Sequence, residues 1–141
     1  MSSESRTEIG SLGEFGLIDH LTKNVEIHNA SSILGVGDDA AVIDHFGKQT
    51  VVTTDLLVEG VHFDLMYTPL KHLGYKSVIV NLSDIYAMGA QPLFALSIVG
   101  FPGNRLPVSV LKEILKGASD KAAEAGIAII GQQEPAIAPF A

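Results

Sequence analysis

Two long stretches of this sequence are each opened by a proline and closed by a glycine, and they constrain the fold more than any other feature. The first runs from Thr68-Pro69 to Gly89, and the second runs from Pro107 to Gly126. Proline has the backbone angle that the first turn of a helix requires, and glycine accepts the left-handed conformation that ends one. Thr68 can cap the first helix. The sequence therefore predicts two long helices, the first with Pro69 as its first helical residue.

The segments around these helices are shorter and mostly of strand type. A short amphipathic helix is predicted over Leu12–Leu21, where apolar residues recur at helical spacing. The strand candidates are rich in β-branched residues, and the first two are joined by a hairpin connection at Asp44–Gly47. The predicted strands are Ala40–Ile43, Gln49–Leu57, Leu93–Val99 and Ile127–Ile130. Because helices and strands alternate irregularly after an early hairpin, the sequence predicts an α+β fold.

The composition argues against several classes of function. The 141 residues are 47% hydrophobic and 18% charged, as expected for one folded domain. The formal charge of −7 argues against nucleic acid as a partner, because phosphate binding needs clustered Lys and Arg. The chain has no cysteine and no apolar run long enough to span a membrane. Since the N-terminus also lacks a signal-peptide core, these features predict a cytoplasmic protein.

The segment GVGDDAAV places two glycines directly before two adjacent carboxylates. Gly35, Gly37 and Ala40 match the loose dinucleotide-binding pattern, but that pattern needs a strand before it and a helix after it. Here a polar segment precedes and a strand-type segment follows, so a dinucleotide site is not expected. A plain turn remains open, since Asp side chains readily accept hydrogen bonds from nearby backbone N–H groups. The alternative is that Asp39 binds a cation.

Two further aspartates occupy unusual positions. Asp55 falls at the end of an apolar strand, where alternation places it on the same face as Thr53. On the first long helix, Ser77, Asn81 and Asp84 form a narrow polar stripe. The other faces are apolar, so this helix is expected to be largely buried. Structural explanations remain open: a turn for Asp55, and a network with backbone donors for Asn81 and Asp84.

Convergence of Asp39, Asp55 and Asp84 would create a cation site. Two carboxylates about 4 Å apart repel each other by roughly 4 kcal/mol at an effective dielectric constant near 20. Three together therefore need a positive partner. Carboxylate and hydroxyl oxygens are ligands of hard cations, and Mg²⁺ suits this set best. We therefore expect a magnesium site through which a phosphate can approach the GVGDDAAV segment.

Four segments of the chain belong together: GEFGLI at 13–18, GVGDDAAV at 35–42, TTDLLVEGVHF at 53–63 and NLSDIYAMGA at 81–90. In this order they resemble the thiamine-monophosphate kinase family, within the superfamily that includes aminoimidazole ribonucleotide synthetase and selenophosphate synthetase. The last segment is shared across the superfamily, whereas its combination with the first and third is specific to the kinases. The resemblance runs from about residue 12 to residue 131. It implies the N-terminal ferredoxin-like domain of the aminoimidazole ribonucleotide synthetase-like fold, an α+β domain with a mixed or antiparallel sheet and two long helices packed on one face.

The resemblance also implies a reaction and a set of site residues. The family transfers the γ-phosphoryl group of ATP to thiamine monophosphate, giving thiamine diphosphate, with the help of Mg²⁺ ions. No general base is implied, because the acceptor oxygen already belongs to a phosphate. His62 corresponds to a residue that contacts the substrate, although a structural or surface histidine is the commoner interpretation of a lone histidine. Two such domains are expected to pair their sheets in a homodimer. The family's metal ligands correspond here to Asp39, Thr53, Thr54, Asp55 and Asp84.

The sequence departs from the family pattern after Gly131. Gln132 and Gln133 stand where the family has a glycine and a metal-ligating aspartate. We therefore expect an N-terminal domain at residues 1–131, a divergent, frayed tail at 132–141 and no C-terminal domain, so that this chain alone has weak activity or none.

Two alternatives to a kinase remain open. The first is a non-catalytic dimerisation or Mg²⁺/nucleotide-binding module, which the departure after residue 131 favours. The second is a related ATP-dependent synthetase of the same superfamily. A selenophosphate synthetase is expected to have a reactive cysteine or selenocysteine near its N-terminus, and this sequence has none.

Overall fold

The computed structural model describes residues 9–133 and 136–137, and the chain divides into two compact units. The first unit is Met1–Val52 and the second is Thr53–Ala141. Helices and short sheets occur together, so the predicted α+β class is confirmed. Within the part of the chain that the structure describes, no helix has the length and apolar character needed to cross a membrane.

The first unit contains one short helix and a small antiparallel sheet. The predicted helix over Leu12–Leu21 is confirmed with bounds shifted by one residue, and none of its residues is buried. The sheet has the strand order β1-β2-β3. The elements are a 3-10 turn at Ile9–Ser11, α1 at Gly13–Thr22, β1 at Ser32–Leu34, β2 at Ala41–His45 and β3 at Lys48–Val52.

A two-residue turn at Phe46 and Gly47 joins β2 to β3, which confirms the predicted hairpin. Both residues have positive φ, 53° and 89° respectively, as a type I′ turn requires. Asp44 Oδ1 accepts a hydrogen bond from Gly47 N–H at 3.0 Å. However, β3 ends at Val52, so the predicted continuation of this strand to Leu57 is wrong.

The second unit contains the two long helices and two pairs of parallel strands. Strand β4 pairs with β6, and β5 pairs with β7. Helix α3 packs against both α2 and β6. The elements are α2 at Leu70–Ala87, β4 at Phe94–Ile98, β5 at Phe101–Pro102, α3 at Val108–Glu124, β6 at Ala128–Gln133 and β7 at Ala136–Ile137.

The two long helices end as predicted, but the first begins one residue later. Gly89 and Gly126 have φ of 66° and 72°, the left-handed conformation expected after a helix. Pro69 has ψ of 131°, so it occupies the cap position and α2 begins at Leu70. The predicted capping role of Thr68 is therefore wrong. Instead, its Oγ1 accepts a weak hydrogen bond from Asp64 N–H at 3.4 Å.

The segment predicted to be a frayed tail is partly regular in structure. Gln132 and Gln133 lie in β6, where their partners on β4 are Ser97 and Ile98. Strand β7 likewise pairs with β5. Backbone hydrogen bonds of a parallel ladder do not depend on side-chain periodicity, which explains why the sequence pattern missed these strands. The rest of the predicted tail, residues 134–135 and 138–141, lies outside the described residues.

The core of the second unit lies between α2, α3 and β6. Val78, Leu82 and Ala118 are buried together, and Ile127 and Ile129 pack against them. The buried residues of α2 occupy one face, whereas Ile79 and Tyr86 on the same helix are exposed. The expectation that α2 is largely buried is therefore wrong: one side packs on α3 and the other meets solvent.

Candidate functional site

The segment that follows β3 is held against α2 by two side-chain hydrogen bonds. Thr53 Oγ1 donates to Asp84 Oδ2 at 2.7 Å. Asp55 N–H donates to Asn81 Oδ1 at 2.9 Å. Two of the predicted metal ligands, Thr53 and Asp84, are thus in direct contact, and Asp55 is tied to the same face of the same helix.

Asn81 is itself anchored on α2. Its Nδ2 donates to the carbonyl of Ser77 at 3.0 Å, one turn earlier in the helix. Ser77 Oγ donates in turn to the carbonyl of Gly74 at 2.7 Å. The polar stripe predicted from the sequence therefore meets polar partners. For Asn81 the partner is a backbone donor, the Asp55 N–H, as the alternative of a purely structural network predicts.

The oxygen atoms of this segment suit a hard cation chemically. Asp55 is exposed, and its carboxylate has no hydrogen-bond or ion-pair partner among the described residues. Asp84 is half-buried and accepts the Thr53 hydroxyl on one oxygen, with Ser83 Oγ at 3.4 Å from the other. Thr54 is exposed beside them. Hydroxyl and carboxylate oxygens of this kind are ligands that Mg²⁺ prefers.

Asp39 belongs to the first unit, in the segment between β1 and β2. It is exposed, and its backbone N–H donates to Asp38 Oδ1 at 2.9 Å, as in a local turn. A strand, β1, directly precedes this segment, so the expectation of a polar, non-strand segment there is wrong. Strand β2, not a helix, follows it, and this ground for rejecting a dinucleotide site is confirmed. Within residues 9–133 and 136–137, no three His, Asp or Glu side chains form a group that could hold a metal. Convergence of Asp39 with Asp55 and Asp84 stays a prediction.

His62 lies in a tight turn that is also attached to α2. Its Nδ1 accepts a hydrogen bond from Val58 N–H at 3.0 Å, and its carbonyl accepts one from Lys76 Nζ at 3.0 Å. Gly60, with φ of 81°, provides the left-handed residue of the turn. Because Nδ1 accepts a hydrogen bond, the tautomer of the neutral ring that fits here has its N–H at Nε2. An exposed Nε2–H can donate to an anionic group of a substrate, which stays a prediction.

The sequence interpretation missed Lys76, because a lysine on a helix surface ordinarily indicates only a solvated face.

It also missed a groove of about 340 Å³ near the C-terminal ends of α2 and α3, where Tyr86 and Lys121 are among the lining residues. Lys121 lies 4.9 Å from the centre of the Tyr75 ring, and Tyr75 donates to Glu124 at 2.9 Å. Hydrogen bonding with Tyr75 raises the pKa of Lys121 above its ordinary value.

Residues 37–133 match the protein family described as AIR synthase related protein, N-terminal domain. Thiamine-monophosphate kinase of Corynebacterium glutamicum is 37% identical over 125 residues, covering 87% of this chain and 36% of the relative. Selenide, water dikinase of Carboxydothermus hydrogenoformans is 44% identical over 108 residues, covering 75% of this chain and 30% of the relative. The chain thus spans about a third of the length of these relatives.

A solved structure, AaThiL complexed with AMPPCP and TMP, resembles the fold described above. Its TM-score is 0.77 at 32% sequence identity, and the match covers 92% of this chain and 39% of the other. The similarity extends through both units, since it leaves out only a small part of the chain.

Proposed function

Because the chain belongs to the AIR synthase related protein family, whose N-terminal domain it matches, we propose that it is the N-terminal part of a thiamine-monophosphate kinase. The proposed reaction transfers the γ-phosphoryl group of ATP to a phosphate oxygen of thiamine monophosphate. A phosphorus–oxygen bond forms to the acceptor, the bond to the β-phosphate breaks, and ADP leaves. The similarity to thiamine-monophosphate kinases and the fold similarity to a protein complexed with AMPPCP and TMP support this substrate pair.

The observation that carries the proposal is the attachment of the segment Thr53–Asp55 to α2. It places Thr53 Oγ1 2.7 Å from Asp84 Oδ2, two residues that correspond to metal ligands of the family, and it ties Asp55 to the same helix. Catalysis of phosphoryl transfer depends mainly on positioning and on neutralising charge, and a fixed set of oxygen ligands contributes to both.

We further propose that Asp39, Thr53, Thr54, Asp55 and Asp84 are Mg²⁺ ligands. The donor set fits the ion, because it consists of hydroxyl and carboxylate oxygens and includes no nitrogen or sulfur. When bound, Mg²⁺ would offset the negative charge of the transferred phosphoryl group. The protein's own contribution is to fix the oxygen atoms, and His62 Nε2–H would donate a hydrogen bond to the substrate.

The apolar outer face of β4 and β6 supports the proposal of a homodimer. Leu96 is 71% exposed and Ile98 is 74% exposed, and Phe94 and Ile130 are also exposed large apolar residues. Alternate residues of β4 are more buried, so that one face of this sheet is covered while the other is bare. A second copy of the chain would cover it. We also propose a cytoplasmic location, where ATP is available to the kinase.

The function is tested by titrating the chain with AMPPCP and Mg²⁺, and by measuring thiamine diphosphate formed from ATP and thiamine monophosphate. We expect the nucleotide analogue to bind only with Mg²⁺, and turnover to be weak or absent, because the chain spans about a third of its kinase relatives. Full turnover would contradict the expected weak activity. Absence of nucleotide binding at millimolar Mg²⁺ would contradict the proposed function and favour a purely structural module.

A selenide, water dikinase is the second candidate function, because one such relative is 44% identical to this chain. The segments GEFGLI and TTDLLVEGVHF favour the kinase, as does the structural similarity to AaThiL. The two candidates are separated by measuring AMPPCP binding in the presence of each second substrate. Thiamine monophosphate should enhance AMPPCP binding by the chain if it is a kinase, whereas enhancement by selenide alone would favour the dikinase.

A further inference from the structure

Asn81 is the point at which α2 holds the backbone of Asp55. Both ends of its side-chain amide are used: Oδ1 accepts Asp55 N–H at 2.9 Å, and Nδ2 donates to the Ser77 carbonyl at 3.0 Å. Asn81 is half-buried, in contrast to the exposed Asp55. The two bonds fix the orientation of the amide, because exchanging its oxygen and nitrogen would leave a donor facing a donor.

Asp55 needs this attachment because it lies beyond the end of β3. The strand stops at Val52, so the Asp55 N–H has no partner in the sheet ladder. The neighbouring attachment, from Thr53 to Asp84, restrains the segment two residues earlier. The two bonds together fix both the position and the direction of the segment along α2, whereas one bond alone would allow it to rotate.

We propose that Asn81 is a positioning residue for cation binding. Its amide is already occupied at both ends, so it acts by setting where the Asp55 carboxylate stands relative to Asp84. This inference rests on the proposed function, because it takes Asp55 and Asp84 as metal ligands. Residues that orient metal ligands typically change metal affinity 10–100-fold when they are removed.

The experiment uses the 141-residue chain and Mn²⁺ as the probe, with the dissociation constant measured by electron paramagnetic resonance. The variants are Asn81→Ala, Asn81→Leu, which keeps the volume, and Asn81→Asp, which keeps an oxygen to accept Asp55 N–H. Ser77→Ala is the matched control, because it removes a hydroxyl from the same face that bonds only within α2. Hydrogen exchange of the Asp55 amide, followed by NMR without metal, reports the attachment itself.

We expect Asn81→Ala and Asn81→Leu to raise the Mn²⁺ dissociation constant about 10–100-fold and to speed exchange of the Asp55 amide. Asn81→Asp should keep the amide protected. Ser77→Ala should leave both readouts within about twofold, because the lost hydroxyl bonds to Gly74 while the Ser77 carbonyl that Asn81 uses remains. A merely structural role would lower the melting temperature without moving the dissociation constant of the folded chain.

Asp55→Asn separates the failure of this inference from that of the proposed function. Weakened Mn²⁺ binding in Asp55→Asn with normal binding in both Asn81→Ala and Asn81→Leu would overturn the positioning role alone. Normal binding in Asp55→Asn, or no binding by the wild-type chain, would overturn the ligand assignment and the positioning role with it.

Discussion

At the scale of single residues, Phe46 combines a positive φ with a fully exposed side chain at the tip of the β2–β3 hairpin. The left-handed conformation costs a bulky residue about 1 kcal/mol, and asparagine adopts it more readily. Since the ring packs on nothing, Phe46→Asn should raise the free energy of unfolding by about 0.5–1 kcal/mol in urea titrations.

Phe46→Ala is the control for this prediction. It removes the ring but keeps the unfavourable backbone conformation, so its stability should stay close to that of the wild type. Equal stability of the two variants would show that the backbone conformation at this position carries no cost.

Thr53 and Thr54 are adjacent, yet the structure distinguishes them. Thr53 donates to the half-buried Asp84, whereas Thr54 is exposed. Thr53→Val should therefore lower the free energy of unfolding by about 1.5–3 kcal/mol, the range for a hydrogen bond to a charged group. Thr54→Val should change it by less than about 0.5 kcal/mol, as is usual for surface substitutions. Urea titrations in EDTA measure both, and equal losses would refute the contrast.

The sequence predicted the chemical character of this site better than its geometry. Asp55, Asn81 and Asp84 stood out because each places a polar group in an apolar segment, and the structure ties all three to one face of α2 or to the segment beside it. Asp55 was expected within a strand, but β3 ends at Val52, opposite the first residue of β2, and the Asp55 N–H bonds to Asn81 instead. Lys76 gave no signal, since its attachment to His62 depends on a turn that only the fold creates.

At the scale of elements, α2 and α3 cross at an unusually close distance. A Cβ atom on Gly74 would lie 1.8 Å from the carbonyl oxygen of Ile114, and one on Gly117 would lie 2.0 Å from that of Lys71. Glycine in a helix interior ordinarily costs about 1 kcal/mol relative to alanine. Here the lost propensity is offset by the contact between the two helices, which buries the core residues Val78 and Ala118.

Gly74→Ala should therefore destabilise the chain by about 2–3 kcal/mol, because the helices must separate to admit the methyl group. Thermal unfolding followed by circular dichroism measures the effect. Gly16→Ala is the matched control: it also lies within a helix, and its Cβ would meet Leu12 Cβ at an ordinary 3.6 Å. That variant should be neutral or more stable by up to about 1 kcal/mol. Similar losses in both variants would contradict the close crossing.

Local chemistry explains which elements were predictable. The proline and glycine positions around α2 and α3 act through their own backbone angles, so the helix ends were accurate to about one residue. Strand β7 and the last residues of β6 are held by pairing with β5 and β4, whose partner residues lie 35 positions earlier in the chain. No local pattern encodes such a pairing, and a segment with little periodicity therefore looked like a tail.

At the scale of the whole molecule, the bare face of β4 and β6 is the feature that a second copy of the chain would change most. An aspartate at Leu96, in the middle of β4, would place a charge within the proposed interface, where an unpaired charge is costly. Leu96→Asp should convert the chain from a dimer to a monomer in sedimentation velocity experiments. Val108→Asp is the matched control, because Val108 is similarly exposed but belongs to the start of α3 and not to β4 or β6. A wild-type chain that sediments as a monomer, or a dimer that survives Leu96→Asp, would overturn the proposed pairing.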